Sequence, residues 1–445
     1  MTALGTLARV LPATARVNGR GHLEVGGCDL VELARSHGTP LYVYDEATVR
    51  DRCRAFTSAM GDRGEVLYSA KAFASPGFLR VVASEGLGLD VVSAGELSLA
   101  LAAGYRGDRL YLLGNNKSPE DVAAAWECGA TLVLDGFHDF DLLRRVIPAG
   151  RRIRCQVRVS PGVRPDTHRF IATGQLDSKF GFSVESGAAR AGVEQALSHD
   201  RVRLTGLHFH IGSQILDLAP YVTAMEIVLD LMVELRRDLG FEPERLSAGG
   251  GLGIAYTRDD EPPSPGRFVE TVWAALEGGA GRRRLRVPRL AVEPGRAIAG
   301  PAGVALYTVG SIKEIPGVRT YVAVDGGMGD NLRPRLYGAR YEALLASDPQ
   351  GEPGGPVTIA GKYCESTDVL VADVRLPRPS PGDVVCIPAA GAYCLAMASN
   401  YNGVPRPAAV MVDRGRARVI RRRETLQDLL AVEVLGPEPG ERAAG

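Results

Sequence analysis

Only five of the 52 basic residues in this chain are lysines: Lys71, Lys117, Lys179, Lys313 and Lys362. A lysine that closes an apolar, β-rich run therefore asks for a chemical reason, and Lys71 does so after Leu67-Tyr68-Ser69-Ala70. Arginine keeps its proton, whereas a partly buried lysine can be neutral and nucleophilic, as a Schiff base with a carbonyl compound requires. The plainer alternative is a lysine that snorkels at a strand end. Three other segments carry complementary groups. Glu293-Pro294-Gly295-Arg296 offers a carboxylate. Gly249-Gly250-Gly251-Leu252-Gly253 offers backbone N–H groups that could wrap a phosphate dianion, and His208-Phe209-His210-Ile211-Gly212-Ser213-Gln214 offers an imidazole. Singly, a glycine run is a turn about as often as an anion nest, and a strand histidine is often a core residue. Together they make the set that pyridoxal 5'-phosphate needs: an amine for its aldehyde, a carboxylate that keeps the pyridine nitrogen protonated, a flat group on the ring, and donors for the phosphate.

For these groups to meet, the elements that carry them must converge. Eight apolar runs alternate with helical patterns: 65–72, 89–94, 109–114, 131–136, 153–160, 204–212, 245–251 and 289–295. Helices are predicted at 76–86, 95–103, 118–128, 218–239 and 266–277, the third opening on a serine cap followed by proline, Ser118-Pro119. Eight such alternations in about 240 residues predict an α/β fold with a (β/α)8, TIM-like barrel, whose active sites lie at the C-terminal ends of the strands. Beyond about residue 305 short strands follow without long helices, which predicts a second, mostly β domain closed by a helix at 424–431. The expected organisation is an N-terminal segment, 1–42, packing with the β domain; the barrel, 43–304; the β domain, 305–435; and a polar tail, 436–445, that reads as disordered.

Composition narrows the partners. The 445 residues carry 52 basic and 52 acidic groups, so no global field favours nucleic acid or an anionic membrane surface. Seven dispersed cysteines without CxxC spacing disfavour both a disulfide framework and a zinc site. The N-terminal apolar run is broken by Arg9 and Pro12, and no stretch approaches the ~18 apolar residues of a membrane span. A small-molecule substrate, a cytoplasmic location and no metal are expected.

Seven segments carry a closer resemblance: YSAKA at 68–72, HIGSQ at 210–214, GGGLG at 249–253, EPGR at 293–296, DGGM at 325–328, CESTD at 364–368 and GAYCLAMASNYN at 391–402. In type and order, from about residue 40 to 435, they resemble the diaminopimelate decarboxylase family, within the alanine-racemase-like (type III) pyridoxal-phosphate enzymes. The resemblance implies a barrel plus a β domain, with Lys71 holding the cofactor covalently, His210 stacking on its ring and Glu293 facing the pyridine nitrogen. Ser213, Gly249, Gly250, Gly251, Gly295 and Tyr393 would hold the phosphate. Arg296, Arg333 and Tyr337 would grip the unreactive end of the substrate, with Tyr393 beside it. The resemblance further implies a homodimer whose sites are completed across the interface by Cys364 and Glu365. Asp90 could orient Lys71 or the histidine, or merely end its strand; Lys179 could bear on the site or cap a loop.

The reaction so implied is loss of carbon dioxide from meso-2,6-diaminopimelate to leave L-lysine, the last step of lysine biosynthesis. A carboxylate at Glu293 suits decarboxylation better than an arginine would, because a protonated ring accepts the electron pair that the departing group leaves behind. Cys364 or a water would return a proton. Two arginines suit a second carboxylate and would repel the ammonium that ornithine or lysine presents. The alternatives are a related decarboxylase for carboxynorspermidine, ornithine, lysine or a specialised-metabolism amino acid, and an inactive regulatory homologue.

Overall fold

The computed structural model describes residue 5, residues 7–163 and residues 178–434; the polar tail expected at 436–445 lies outside the described residues. Eight parallel strands form the first unit: Gly64–Ser69, Gly88–Val91, Leu110–Leu112, Thr131–Leu134, Ile153–Ser160, Val202–His208, Arg245–Ser247 and Arg289–Val292. They pair in chain order, and Val66 opposite Val292 closes the ring into a barrel. Runs such as LYL and TLVL are buried along their whole length, as parallel strands covered on both faces must be.

Helices wrap the barrel. Pro76–Ser84 and Pro119–Cys128 open on proline, and Ser118 and Asp121 satisfy each other's backbone N–H groups in a reciprocal cap. Ala94–Ala102, Ala219–Leu239 and Pro265–Arg283 occupy the other predicted positions. Glu46–Met60, His138–Val146 and Ala188–Ser198 are additional. The last two start without a side-chain cap, so the strongest start signal is missing from the sequence at both.

A second sheet holds strands 369–375, 356–360, 319–324, 303–315, 41–45, 408–413 and 416–421 in that order. Leu41–Asp45 lies at its centre, antiparallel to Gly303–Ile315 and parallel to Ala408–Asp413. The expected boundary at residue 42 thus runs through a strand. Leu23, Val25 and Leu30 from the N-terminal segment share a buried apolar cluster with Val43, Val304, Val384 and Val410.

The two units are joined where the site forms. The eighth barrel strand ends at Val292, the short helix Arg296–Ala302 follows, and the chain continues straight into Gly303–Ile315. Gly391 packs against that helix so closely that a Cβ would sit 1.9 Å from the Ala299 carbonyl oxygen. Two residues on, the Tyr393 N–H donates to the Ala72 carbonyl at 2.9 Å, which fastens the β unit beside Lys71.

Candidate active site

The C-terminal ends of the barrel strands surround a cavity of about 880 Å³, open solvent included. Lys71 lines it, although not from within a strand: the first strand stops at Ser69, and Lys71 stands in the following turn, Ala70–Ala72, exposed to the cavity rather than partly buried. The reason is the tight turn itself, which tips the side chain out over the barrel end.

Glu293 sits opposite on the eighth strand's end and is buried. Its Oε1 accepts a hydrogen bond from Ser247 Oγ at 2.7 Å, and its Oε2 lies 3.0 Å from His208 Nε2. Burial opposes ionisation of this carboxyl, but the pairing with His208, the Ser247 hydroxyl and the charge of Lys71 outweigh it and hold the pKa below the usual value. An ionised carboxylate only accepts, so Nε2 of His208 carries the hydrogen. Ser247 and His208 are thus the residues that orient Glu293. Sequence reasoning passed over both, although each lies in a segment already singled out.

Asp90 settles among the lining residues, buried, with Ser69 as its register partner on the first strand. Burial and the nearby Glu293 carboxylate push its pKa up, against the pull of Lys71. His210 lines the wall, and its Nδ1 accepts the Gly250 N–H at 3.2 Å. Burial, with Lys71 and Arg158 nearby, holds this imidazole well below its ordinary pKa. It is therefore neutral at pH 7, with its hydrogen on Nε2. Arg158, another residue that sequence reasoning did not find, lines the cavity from the fifth strand, 3.3 Å from Asp135 and over the Phe180 ring at 4.5 Å.

Gly250 and Gly251 line the cavity, as do Ser213, Gly295, Arg296, Tyr337 and Tyr393. Gly249 does not: its N–H donates to Ser247 Oγ at 3.1 Å, so it braces the Glu293 network instead. Arg296 is buried, donating to Ser213 Oγ at 2.8 Å and to the Tyr256 hydroxyl, with its guanidinium over the Tyr393 ring at 4.6 Å. Arg333 is buried behind the wall rather than in it, donating to the Tyr341 hydroxyl. Neither arginine meets a carboxylate among the described residues.

Cys364 and Glu365 are exposed on a loop of the second sheet and do not line this cavity. There the Cys364 N–H donates to Asn402 Oδ1 at 3.1 Å, and the Tyr401 hydroxyl donates to Glu365. Lys179 is exposed, 5.0 Å from the centre of the Phe180 ring, and is not among the lining residues.

This donor set fits pyridoxal phosphate. An amine, an ionised carboxylate held by two partners and a neutral imidazole line one cavity, and glycines approach so closely that a Cβ on Gly250 would lie 2.1 Å from the Glu293 carbonyl oxygen, which leaves only backbone on that side. Among the described residues no group of three or more His, Cys, Asp or Glu side chains could hold a metal ion.

A family model described as the pyridoxal binding domain of pyridoxal-dependent decarboxylases matches residues 46–300. The chain is 45% identical over 429 residues to a diaminopimelate decarboxylase of Bacillus subtilis, covering 95% of this chain and 98% of that protein. It is similar to the crystal structure of M. jannaschii diaminopimelate decarboxylase in co-complex with L-lysine, with a TM-score of 0.88 at 33% identity over 96% of this chain and 99% of that one. The Helicobacter pylori diaminopimelate decarboxylase complexed with L-lysine gives a TM-score of 0.82 at 30% identity, covering 90% of this chain and 98% of the other.

Proposed function

The chain belongs to the diaminopimelate decarboxylase family of pyridoxal-dependent decarboxylases, and from that premise we propose that it converts meso-2,6-diaminopimelate to L-lysine and carbon dioxide, closing lysine biosynthesis. The observation that carries the choice of substrate is the pair of buried guanidiniums, Arg296 and Arg333, with no acid beside them among the described residues. Buried charge without a partner is costly, and a carboxylate arriving with the substrate is the partner they lack.

Pyridoxal phosphate, when bound, supplies the electron sink that lets a carbon–carboxylate bond break heterolytically. Lys71 would hold it through Nζ. Ser213, Gly295, Tyr393 and the backbone of Gly250 and Gly251 would hold its phosphate, with Gly249 bracing the turn behind them. Glu293, fixed by Ser247 and His208, would keep a proton at the ring nitrogen, and neutral His210 would serve the ring without adding a competing charge. Arg296 and Tyr337, from the cavity wall, orient the substrate by its distal carboxylate, and Arg333 adds its charge from behind the wall, so that the carboxylate to be lost lies at the reacting end. The carbon that loses carbon dioxide then takes a proton. Its donor is Cys364 of the partner subunit, with Glu365 of the partner subunit pairing with the distal amine, in a cytoplasmic homodimer. The exposure of both residues, away from their own chain's cavity, supports that sharing.

The test is direct. Purified holoenzyme given meso-diaminopimelate releases carbon dioxide and lysine in equal amounts, and borohydride fixes the cofactor on Lys71. Lys71→Ala loses both. A preference for ornithine or lysine as substrate, or label on another lysine, sinks the reading.

A further inference from the structure

Tyr256 stands between Arg296 and Arg333, which meet no carboxylate among the described residues. Its hydroxyl accepts from Arg296, and its ring centre lies 4.2 Å from the guanidinium carbon of Arg333 and 5.7 Å from that of Arg296. The phenol is itself held in place. Its backbone N–H donates to Asp260 Oδ2 at 2.9 Å, and its ring meets Tyr341 edge-on at 5.3 Å. Tyr341 in turn accepts from Arg333. Two like charges packed this closely repel each other, and a π face with a phenol oxygen between them is the kind of neutral spacer that lowers that repulsion without neutralising either charge. An aspartate or glutamate in the same place would neutralise them and occupy the donors. The Nε atoms of both arginines are buried with no partner among the described residues, so each keeps a donor in reserve.

We propose that Tyr256 is the specificity-determining positioning residue of the distal subsite: its oxygen orients Arg296, its ring carries Arg333, and the two together present a cationic pair that demands a carboxylate. This deepens the preceding section and rests on its assignment of the arginines to the distal carboxylate. Tyr256 touches the substrate only through them.

Two probes that differ by one carboxylate, L-lysine and 1,5-diaminopentane, separate the possibilities when their dissociation constants for the holoenzyme are measured calorimetrically. Wild type binds L-lysine more tightly. Tyr256→Phe, which keeps the ring, narrows the preference in part; Tyr256→Leu, which removes ring and oxygen, narrows it by about tenfold or more. Affinity for 1,5-diaminopentane stays at the wild-type value in both variants, and for diaminopimelate KM rises while kcat holds. Tyr256→Met provides a second ring-less variant should the leucine protein fail to fold. A ring-less variant with the wild-type preference overturns the role of Tyr256, as does one that weakens both probes equally, since that is damage to the fold. A wild type that fails to prefer L-lysine overturns the carboxylate reading of the arginines and the role of Tyr256 with it.

Discussion

A buried guanidinium with no acid beside it is ready to receive one, and Arg333, which meets none among the described residues, can be tested on that footing. A charge-assisted hydrogen bond contributes about 1.5 to 3 kcal/mol, or roughly ten- to a hundredfold in binding. Arg333 acts from behind the wall, so Arg333→Ala is expected to lower kcat/KM for diaminopimelate toward the lower end of that range, about tenfold, mainly through KM. It should leave the poor reaction with lysine as substrate much less affected, because lysine brings no distal carboxylate. Equal losses on both substrates would argue against the assignment. Three residues earlier, Asp330 is buried, accepting from the Tyr307 hydroxyl and, at Oδ2, from the Gly327 N–H at 3.0 Å. Burial pushes its pKa up to about 7, against the hydrogen bonds that favour its ionised form. The folded protein thus keeps a proton that the unfolded chain releases above its ordinary carboxyl pKa of 3.8. Stability from this group is complete below that pH and is lost as pH rises toward about 7. Chemical denaturation of wild type and Asp330→Asn at pH 5 through 8 should show the wild type losing ground to the variant up to about 7 and no further. A difference that does not change with pH would refute the shift.

At the scale of elements, the glycine turn 249–253 holds the cavity wall by contacts that exclude any side chain. Gly250→Ala would drive a Cβ to within 2.1 Å of the Glu293 carbonyl oxygen, a backbone atom that cannot step aside without moving the strand end that carries Glu293. The expected outcome is at least a tenfold (order of magnitude) weaker retention of pyridoxal phosphate, measured by equilibrium titration of the apoenzyme. Retention at the wild-type level would show that the turn has slack. The eight barrel strands were legible in sequence because parallel strands buried on both faces read as apolar runs. Gly303–Ile315, at thirteen residues long, was not singled out. It follows the barrel without a break, and its partners at 41–45, 319–324 and 384–387 are set by contacts that lie in distant parts of the chain.

At the scale of the molecule, Lys71 belongs to the barrel, and Cys364 lies on a loop of the second sheet, exposed and outside its own cavity. If each cavity takes Cys364 from the partner, mixing Lys71→Ala with Cys364→Ala subunits restores activity. A mixed dimer then holds one site with both lesions and one with neither. About a quarter of wild-type activity is expected from random exchange, in which half the dimers are mixed and each has one intact site of two. Proven exchange without recovery would place the proton donor within one chain.

The sequence by itself determined the chemistry available: which strand ends carry an amine, a carboxylate, an imidazole and a glycine turn, and that eight alternations bring such ends to one barrel face. That much follows from residue type, local pattern and order along the chain. Tertiary structure alone decided the rest. It joined Ser247 and His208 to Glu293, and it turned Gly249 from a cavity residue into a brace. It also lodged Tyr256 between two arginines that lie 40 and 77 residues further along the chain. Hydrogen bonds and ring contacts act over a few ångströms of space whatever the separation in sequence, so partners brought together only by barrel closure and by the docking of the second sheet leave no periodicity or spacing to read.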